Sequence, residues 1–263
     1  MPDVKHPKST RIIAVANQKG GVGKTTTTIN LAAGLAEHGH KVLVVDIDPQ
    51  GNASTGLGVP PESRQKTSYD LLLEQAILTD IMQETAVKDV FLCPANSDLS
   101  SADIDLVASE KRSFLLADAL GEPGFLRTEF DFVLIDCPPS LSLLTVNALV
   151  AAGSVLIPLQ SEFFALEGLS QLMLTIRDIR RSANPKLRIE GVLVTMTDSR
   201  NRLSQQVEAD ARANLGEMVF ETTIPRNVRV SEAPSYALPV LQYDPTSKGA
   251  DAYRRLSLEI LSR

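Results

Sequence analysis

A short apolar run, Ile12–Ala16, leads straight into Asn17-Gln18-Lys19-Gly20-Gly21-Val22-Gly23-Lys24-Thr25-Thr26. A strand that ends in a glycine-rich turn and opens a helix leaves backbone N–H groups pointing into a concavity. The positive end of the helix dipole lies behind them, so the concavity suits a polyphosphate. Gly20, Gly21 and Gly23 let the main chain approach phosphate oxygens with no Cβ in the way. Lys24 is placed to reach the outer phosphates, and the Thr25 hydroxyl to ligate Mg²⁺. The common phosphate-loop pattern, G-x-x-x-x-G-K-[ST], would put its first glycine at position 18. This chain has Gln18 there and follows it with Lys19, a second lysine at the start of the loop. The helix-forming stretch Thr25–Gly34 comes next, which favours a phosphate loop over a merely solvated glycine turn.

The β-branched runs that recur along the chain predict further strands at Val42–Asp46, Val90–Cys93, Phe132–Asp136, Ser154–Pro158 and Gly191–Thr195. They are nearly continuous in Val, Ile and Leu, as strands buried on both faces are. Helices are predicted at Thr25–His38, Ser140–Ala152, Ala165–Ser182, Ser204–Leu215 and Ala250–Leu261. This alternation implies an α/β fold with a single doubly wound, mostly parallel sheet flanked by helices, and ligands at the carboxyl ends of the strands. Residues 1–10 read as a flexible tail and 11–263 as one domain, with Pro60–Lys66 a surface loop inside it.

Two of the predicted strands end in carboxylates. The first runs into Asp46-Ile47-Asp48-Pro49-Gln50, with acids two residues apart on the ligand side of the sheet. A carboxylate beside a Mg²⁺–phosphate centre can orient an attacking water. The rival reading is a simple turn, because Asp, Pro, Gly and Asn all favour turns. The second, Phe132–Asp136, is followed by Cys137-Pro138-Pro139-Ser140. Asp136 there can hold Mg²⁺ through water, or merely cap the helix that follows.

Of 263 residues, 43% are hydrophobic and 22% charged, which is an ordinary globular composition. Cys93 and Cys137 are too few and too far apart for a disulfide framework or a metal cluster, and suggest a reducing compartment. Met1–Thr10 is polar and does not read as a secretory signal. The longest mostly apolar stretch, 142–159, contains Asn147, Gly153 and Pro158 and divides into a helix and a strand, so it reads as core rather than membrane span. A net charge of −6 and a pI near 5.2 argue against a uniformly basic nucleic-acid binder. The charge is uneven, however. Residues 177–202 carry seven basic side chains against three acidic ones, a local net of +4. Screening confines such a field to roughly 10 Å, so a basic patch can act on an acidic protein.

The doubled lysine of the loop resembles that of the MinD/ParA deviant Walker A ATPases. Ile224-Pro225-Arg226-Asn227-Val228-Arg229-Val230-Ser231-Glu232-Ala233-Pro234, Tyr243–Ala250 and Gly51–Gly58 resemble the chromosomal ParA/Soj partition group within them. The resemblance runs from about residue 11 to the end. It implies ATP and Mg²⁺ as cofactors, held by Lys19, Gly20, Gly21, Val22, Gly23, Lys24, Thr25 and Thr26, with Pro225 and Asn227 beside the adenine. Lys19 would cross to the nucleotide of a second copy in a face-to-face dimer, and Lys24 would serve its own. Asp48 would position the water, supported by Asp46; Thr25, Asp48 and Asp136 would surround the metal, and Cys137-Pro138-Pro139 would form the second switch.

The implied activity is a DNA-partition ATPase, weak until a ParB/Spo0J-type centromere-binding partner stimulates it. Its ATP dimer would bind double-stranded DNA with little sequence preference, placing it in the cytoplasm on the nucleoid. Arg200 and Arg229 are the first candidates for phosphate contacts, followed by Arg202, Arg226, Lys248, Arg254 and Arg255. The alternative is a MinD-like membrane-associated positioning ATPase. That needs a basic amphipathic C-terminal helix, and Ala250–Arg263 has only Arg254, Arg255 and Arg263 as positive charges, so no membrane partner is expected. With about ten residues before the first strand, no operator-reading helix-turn-helix is expected.

Overall fold

Strand β1 (Arg11–Val15) lies near the middle of a sheet completed by β2 (Val42–Asp46), β3 (Gln83–Glu84), β4 (Val90–Cys93), β5 (Phe132–Asp136), β6 (Ser154–Gln160), β7 (Arg188–Thr197) and β8 (Ile224–Pro225). A computed structural model describes residues 10–162 and 165–263, so the predicted tail lies, but for Thr10, outside the described residues. The strand order is β3-β4-β2-β5-β1-β6-β7-β8. All neighbours run parallel except β3 and β4.

The side-chain period of two sends alternate residues to two cores. Ile13, Val15, Val42, Val44 and Leu134 face one side; Ala14, Leu43, Val45, Val133 and Ile135 face the other. Both faces are apolar, which is why these strands read as unbroken hydrophobic runs. The longer helices are α1 (Lys24–Glu37), α2 (Leu143–Ala151), α3 (Ala165–Ser182), α4 (Arg202–Leu215) and α5 (Lys248–Ser262). The first core takes Leu31 and Leu35 from α1 and Tyr253, Leu256 and Ile260 from α5. The second takes Leu144 and Ala148 from α2, Leu172 and Ile176 from α3, and Val207 and Ala211 from α4.

The predicted elements are present, with ends that follow local chemistry. Helix α2 starts at Leu143 rather than Ser140, with Ser142 extended as its N-cap residue. Helix α4 starts two residues early because the Asn201 side chain accepts from Leu203 N at 2.9 Å. Ser247 caps α5 in the same way, accepting from Ala250 N at 3.2 Å, so the helix begins at Lys248. Strands β6 and β7 run further toward the ligand edge than their hydrophobic runs suggested. Cys93 and Cys137 are both buried free thiols.

One irregularity interrupts the ladder. Ile189 pairs with Val155, but the next residue of β6, Leu156, pairs with Gly191. Glu190 is therefore an extra residue, a β-bulge. Its buried carboxylate accepts from Arg11 Nη2 at 2.8 Å and from the Ser154 hydroxyl, and pairs with Arg188 at 3.3 Å.

Helix α5 packs along α1 closely enough that a Cβ at Gly34 would come within 3.0 Å of Ser257 Oγ. Leu256, fully buried at that contact, joins the C-terminal helix to the core that carries the phosphate loop. We expect Leu256→Ala to destabilise the protein by about 2–5 kcal/mol, the usual cost of emptying a buried leucine site. Urea unfolding measures this; a change below about 1 kcal/mol would show α5 to be loosely docked.

Candidate active site

Strands β2, β5 and β1 lie side by side, and their carboxyl ends converge. Asp46 is in register with Asp136, which is in register with Val15 at the mouth of the glycine loop. Gly21 and Gly23 hold φ of +73° and +89°, the left-handed region that costs side chains with a Cβ energy. Helix α1 has neither a capping side chain nor an acidic residue in its first turn. Its leading N–H groups and dipole are thus available to an anion.

Side chains far away in sequence fix the loop. Asn17 Nδ2 donates to Pro158 O at 2.7 Å, while its Oδ1 accepts from Lys19 N at 3.0 Å. The Thr195 hydroxyl donates to Val22 O at 2.8 Å. These bonds moor the loop to β6 and β7. On the other side Gly20 lies against Pro139, where a Cβ would sit 3.8 Å from the proline's own.

Asp136 is fully buried, and two hydroxyls of α1 hold it. Thr25 Oγ1 donates to one oxygen at 2.8 Å and Thr28 Oγ1 to the other at 2.9 Å. Burial, followed by the field of Asp46, pushes the Asp136 carboxyl up to about 8. Asp46 is pushed up to about 6 by burial, opposed by its bonds from Ser54. Asp48 is also buried, and its Oδ1 accepts from Gln50 N at 3.0 Å. Lys24 is buried, its Nζ donating to Lys19 O at 3.0 Å. Burial lowers its pKa, while Asp136 and then Asp48 attract the cation. Lys19 stands further out, half-buried, with its ammonium 3.2 Å from Glu162.

The arrangement fits a nucleotide with a divalent cation. Glycine backbone lines the cradle, a lysine points back into it, and Thr25 and Asp136 offer hard oxygen ligands beside it, with Asp48 across the site. Among the described residues no cluster of His, Cys, Asp and Glu forms a metal site by itself. A cation here would therefore share its ligands with phosphate, as Mg²⁺ in such sites does.

Next to Gly23 and Thr26 lies a cavity walled by Thr195, Met196, Ile224, Pro225, Asn227, Val230 and Tyr253. Pro225 and Asn227, which the family resemblance would set beside an adenine, are both in its wall. The segment 224–232 is short β8 followed by a helical turn, Val228–Glu232, and the Asn227 side chain caps that turn at Arg229 N, 2.8 Å away.

The candidate cations differ in their surroundings. Arg200 is 90% exposed and pairs with Asp198 at 3.2 Å. Arg229 pairs with Glu232 at 3.0 Å and with Asp244 at 3.3 Å. Arg254 grips Glu37 through two bonds of 2.7 and 3.1 Å, and Arg255 pairs with Asp251 at 3.2 Å. Arg202, Arg226 and Lys248 are exposed. Sequence reasoning missed Asn17, Thr28 and Thr195. Thr28 had a readable signal, since it lies three residues after Thr25 on the same helix face. Thr195 had none.

Residues 10–189 match the AAA domain family. Over 253 residues, covering 96% of this chain and 94% of the other, the chain is 53% identical to the chromosome partitioning protein ParA of Caulobacter vibrioides. It is 48% identical to the sporulation initiation inhibitor protein Soj of Bacillus subtilis over 250 residues, covering 95% and 98% of the two chains. A solved structure of cobyrinic acid a,c-diamide synthase from Mycobacterium smegmatis, with bound ATP analog and magnesium, is similar with a TM-score of 0.83. Its identity is 39%, covering 96% of this chain and 94% of that one. Identity of this depth along nearly the whole of both curated relatives leaves one conclusion about kinship: the chain belongs to the ParA/Soj family of chromosome-partitioning ATPases.

Proposed function

We propose that this chain is an ATP-driven DNA-partition ATPase whose ATP-bound dimer holds double-stranded DNA and whose hydrolysis, stimulated by a ParB-type partner, releases it. The observation that carries the reading is the second lysine. Lys24 already lies inside the cradle, so Lys19, half-buried and at its rim, is available to a second copy of the chain. A cation supplied in trans acts as an arginine finger does, and makes nucleotide and dimer depend on each other. ATP and Mg²⁺ are the cofactors, with Thr25 and Asp136 toward the metal and Asp48 toward the water. The likeness to the diamide synthase is the weaker in identity, and what it contributes is the nucleotide-bearing fold.

Among the candidate cations Arg200 is the most open of the ion-paired ones, while Arg226 borders the cavity beside Gly23 and Thr26. Arg200 is engaged by one partly exposed carboxylate, and such a surface pair is worth only about 0–1 kcal/mol, so a phosphate can replace the partner cheaply; Arg229 has two such partners and Arg254 a bidentate one. The membrane alternative has less support. The apolar stripe of α5 is spent inside the molecule, where Ala252, Tyr253, Leu256 and Ile260 are buried. No helix among the described residues is long and apolar enough to cross a membrane.

Nucleotide titration with light scattering tests the two lysines. Lys24→Ala is expected to abolish tight ATP binding. Lys19→Ala is expected to bind ATP as a monomer and fail to dimerise. An ATP-dependent dimer of normal strength in the Lys19 variant would remove the trans role.

Arg200→Glu should abolish DNA retention with ATP binding and dimerisation intact, and Arg229→Ala should weaken it. Each lost phosphate contact should also reduce the salt dependence by about one counterion. Duplex binding at several salt concentrations reads both effects, and normal binding by both variants would place the DNA surface elsewhere.

Asp136 supplies a pH signature. At neutral pH its raised carboxyl is largely protonated, and a metal–nucleotide complex needs it ionised. Binding should release a proton, and apparent affinity should rise with pH up to about 8. Calorimetry in buffers of different ionisation enthalpy counts the proton; zero release near neutrality contradicts the assignment. Stability of the nucleotide-free protein runs the opposite way. An unfolded aspartate ionises near 3.8 and the folded one near 8, so the unfolded state sheds its proton first, and this contribution is lost progressively across that window as pH rises.

A further inference from the structure

Arg64 lies in the Pro60–Lys66 stretch that the sequence presents as an ordinary surface loop, yet it is 9% exposed. Its guanidinium makes four bonds. Nε and Nη2 donate to Val59 O at 3.1 and 2.7 Å, Nη1 to Ala95 O at 3.1 Å, and Nη2 also to Thr55 Oγ1 at 2.7 Å. None of these acceptors is a carboxylate. Burying a cation among neutral oxygens is costly, and the fixed five-donor fork is what such a site gains in return.

The fork converges on the turn that carries Asp48. Thr55 belongs to the helical turn Asn52–Gly56 that follows it, and Ala95 lies just past the end of β4. Between them sits Gly51, at φ +61°, where an added Cβ would overlap Arg64 Nη1. Gly51 N donates to Asp48 O at 2.8 Å. The same turn is tied from inside, since Ser54 Oγ donates to Asp46 at 2.7 Å and accepts from Ala95 N at 3.0 Å. Asp48 N then donates to the other Asp46 oxygen at 3.1 Å. Arg64, Gly51, Asp48 and Asp46 thus form one contiguous packed unit against the end of β4.

We infer that Arg64 is a positioning residue for hydrolysis, clamping the Asp46–Gly51 turn to the edge of the sheet so that the Asp48 carboxylate keeps its aim at the attacking water. It touches neither the phosphate cradle nor Lys24. Its loss therefore acts on the chemical step and leaves nucleotide affinity in place. The inference rests on the water-positioning reading of Asp48, and Asp48→Ala is measured in parallel to separate the two.

The test is single-turnover ATP hydrolysis by the full chain with Mg²⁺, alongside ATP affinity. Arg64→Met, which keeps bulk and removes the fork, is expected to slow hydrolysis about 10- to 100-fold, as a small misplacement of a catalytic group does. ATP affinity should stay within about twofold, the mark of an interaction used only in the transition state. Arg64→Ala should recover part of its rate in millimolar guanidinium and none in equimolar urea. A folded Arg64→Met with wild-type hydrolysis, while Asp48→Ala is slow, overturns the role of Arg64 and spares that of Asp48. Rate and affinity falling together, without guanidinium rescue, also overturns it, because that is a purely structural loss. Asp48→Ala at the wild-type rate overturns both readings. Should Arg64→Met fail to fold, Arg64→Lys decides. Its ammonium cannot span the three acceptors, so a slow rate at unchanged affinity supports the clamp and a wild-type rate refutes it.

Discussion

A carboxylate with no water around it must be held from several sides, and Asp136 is held by the helix that begins the nucleotide site. Its two oxygens take the hydroxyls of Thr25 and Thr28, one each. Leaving such a group unpartnered would cost several kcal/mol. The bonds therefore fix the rotation of α1 about its axis and its height above the sheet. With α1 fixed, the glycine loop has one path back to β1, and Asn17 and Thr195 secure that path from the far side. Asp46, in register beside Asp136, adds a second buried acid whose charge makes the first harder to ionise. In the nucleotide-free site a proton on Asp136 relieves that repulsion, and a divalent cation would take the proton's place.

How much of this was legible in the sequence depended on whether the information was local. The central strands could be read because both of their faces are buried, which turns them into contiguous apolar runs. The phosphate loop could be read because its glycines, lysines and threonines are neighbours in the chain. Strands β3 and β8 are two residues long and carry no period at all. The helical turn at Val228–Glu232 was hidden by the prolines that bound its segment. Thr195 and Val22 are brought together only by the order in which β1, β6 and β7 line up. Arg64 was unreadable for another reason: flanked by polar residues and close to Pro60 and Pro61, it has the local composition of an exposed loop.

The cationic surface shows the same divide. In sequence the arginines of the second half of the chain are equivalent charges, and only motif context ranks them. In the folded chain Arg200, Arg229, Arg254 and Arg255 pair with different acidic neighbours, while Arg202 and Arg226 stand exposed. The Arg254 pair joins α5 to the end of α1 and stands at the helix–helix contact that supports the nucleotide site. The Arg200 pair is local, two residues apart on an open turn. Within the proposed partition reading, an acidic protein can present phosphate-binding groups because its anions hold them in place beforehand. That lowers the conformational entropy lost when a long side chain is ordered on a nucleic acid.

The bulge at Glu190 reaches beyond its own neighbourhood. Ile189 packs on the second core, and on a regular strand the odd-numbered residues after it would do the same. Instead Val192 and Val194 do, because the extra residue inverts the parity of everything that follows. Thr195, paired with Gln160, faces the phosphate loop in that register. Removing Glu190 would leave the pairs from Leu156 with Gly191 to Gln160 with Thr195 as they are and take away the carboxylate that Arg11, Ser154 and Arg188 share. In this strand the register against β6, as much as the chemistry of any side chain, decides which atom meets the nucleotide loop.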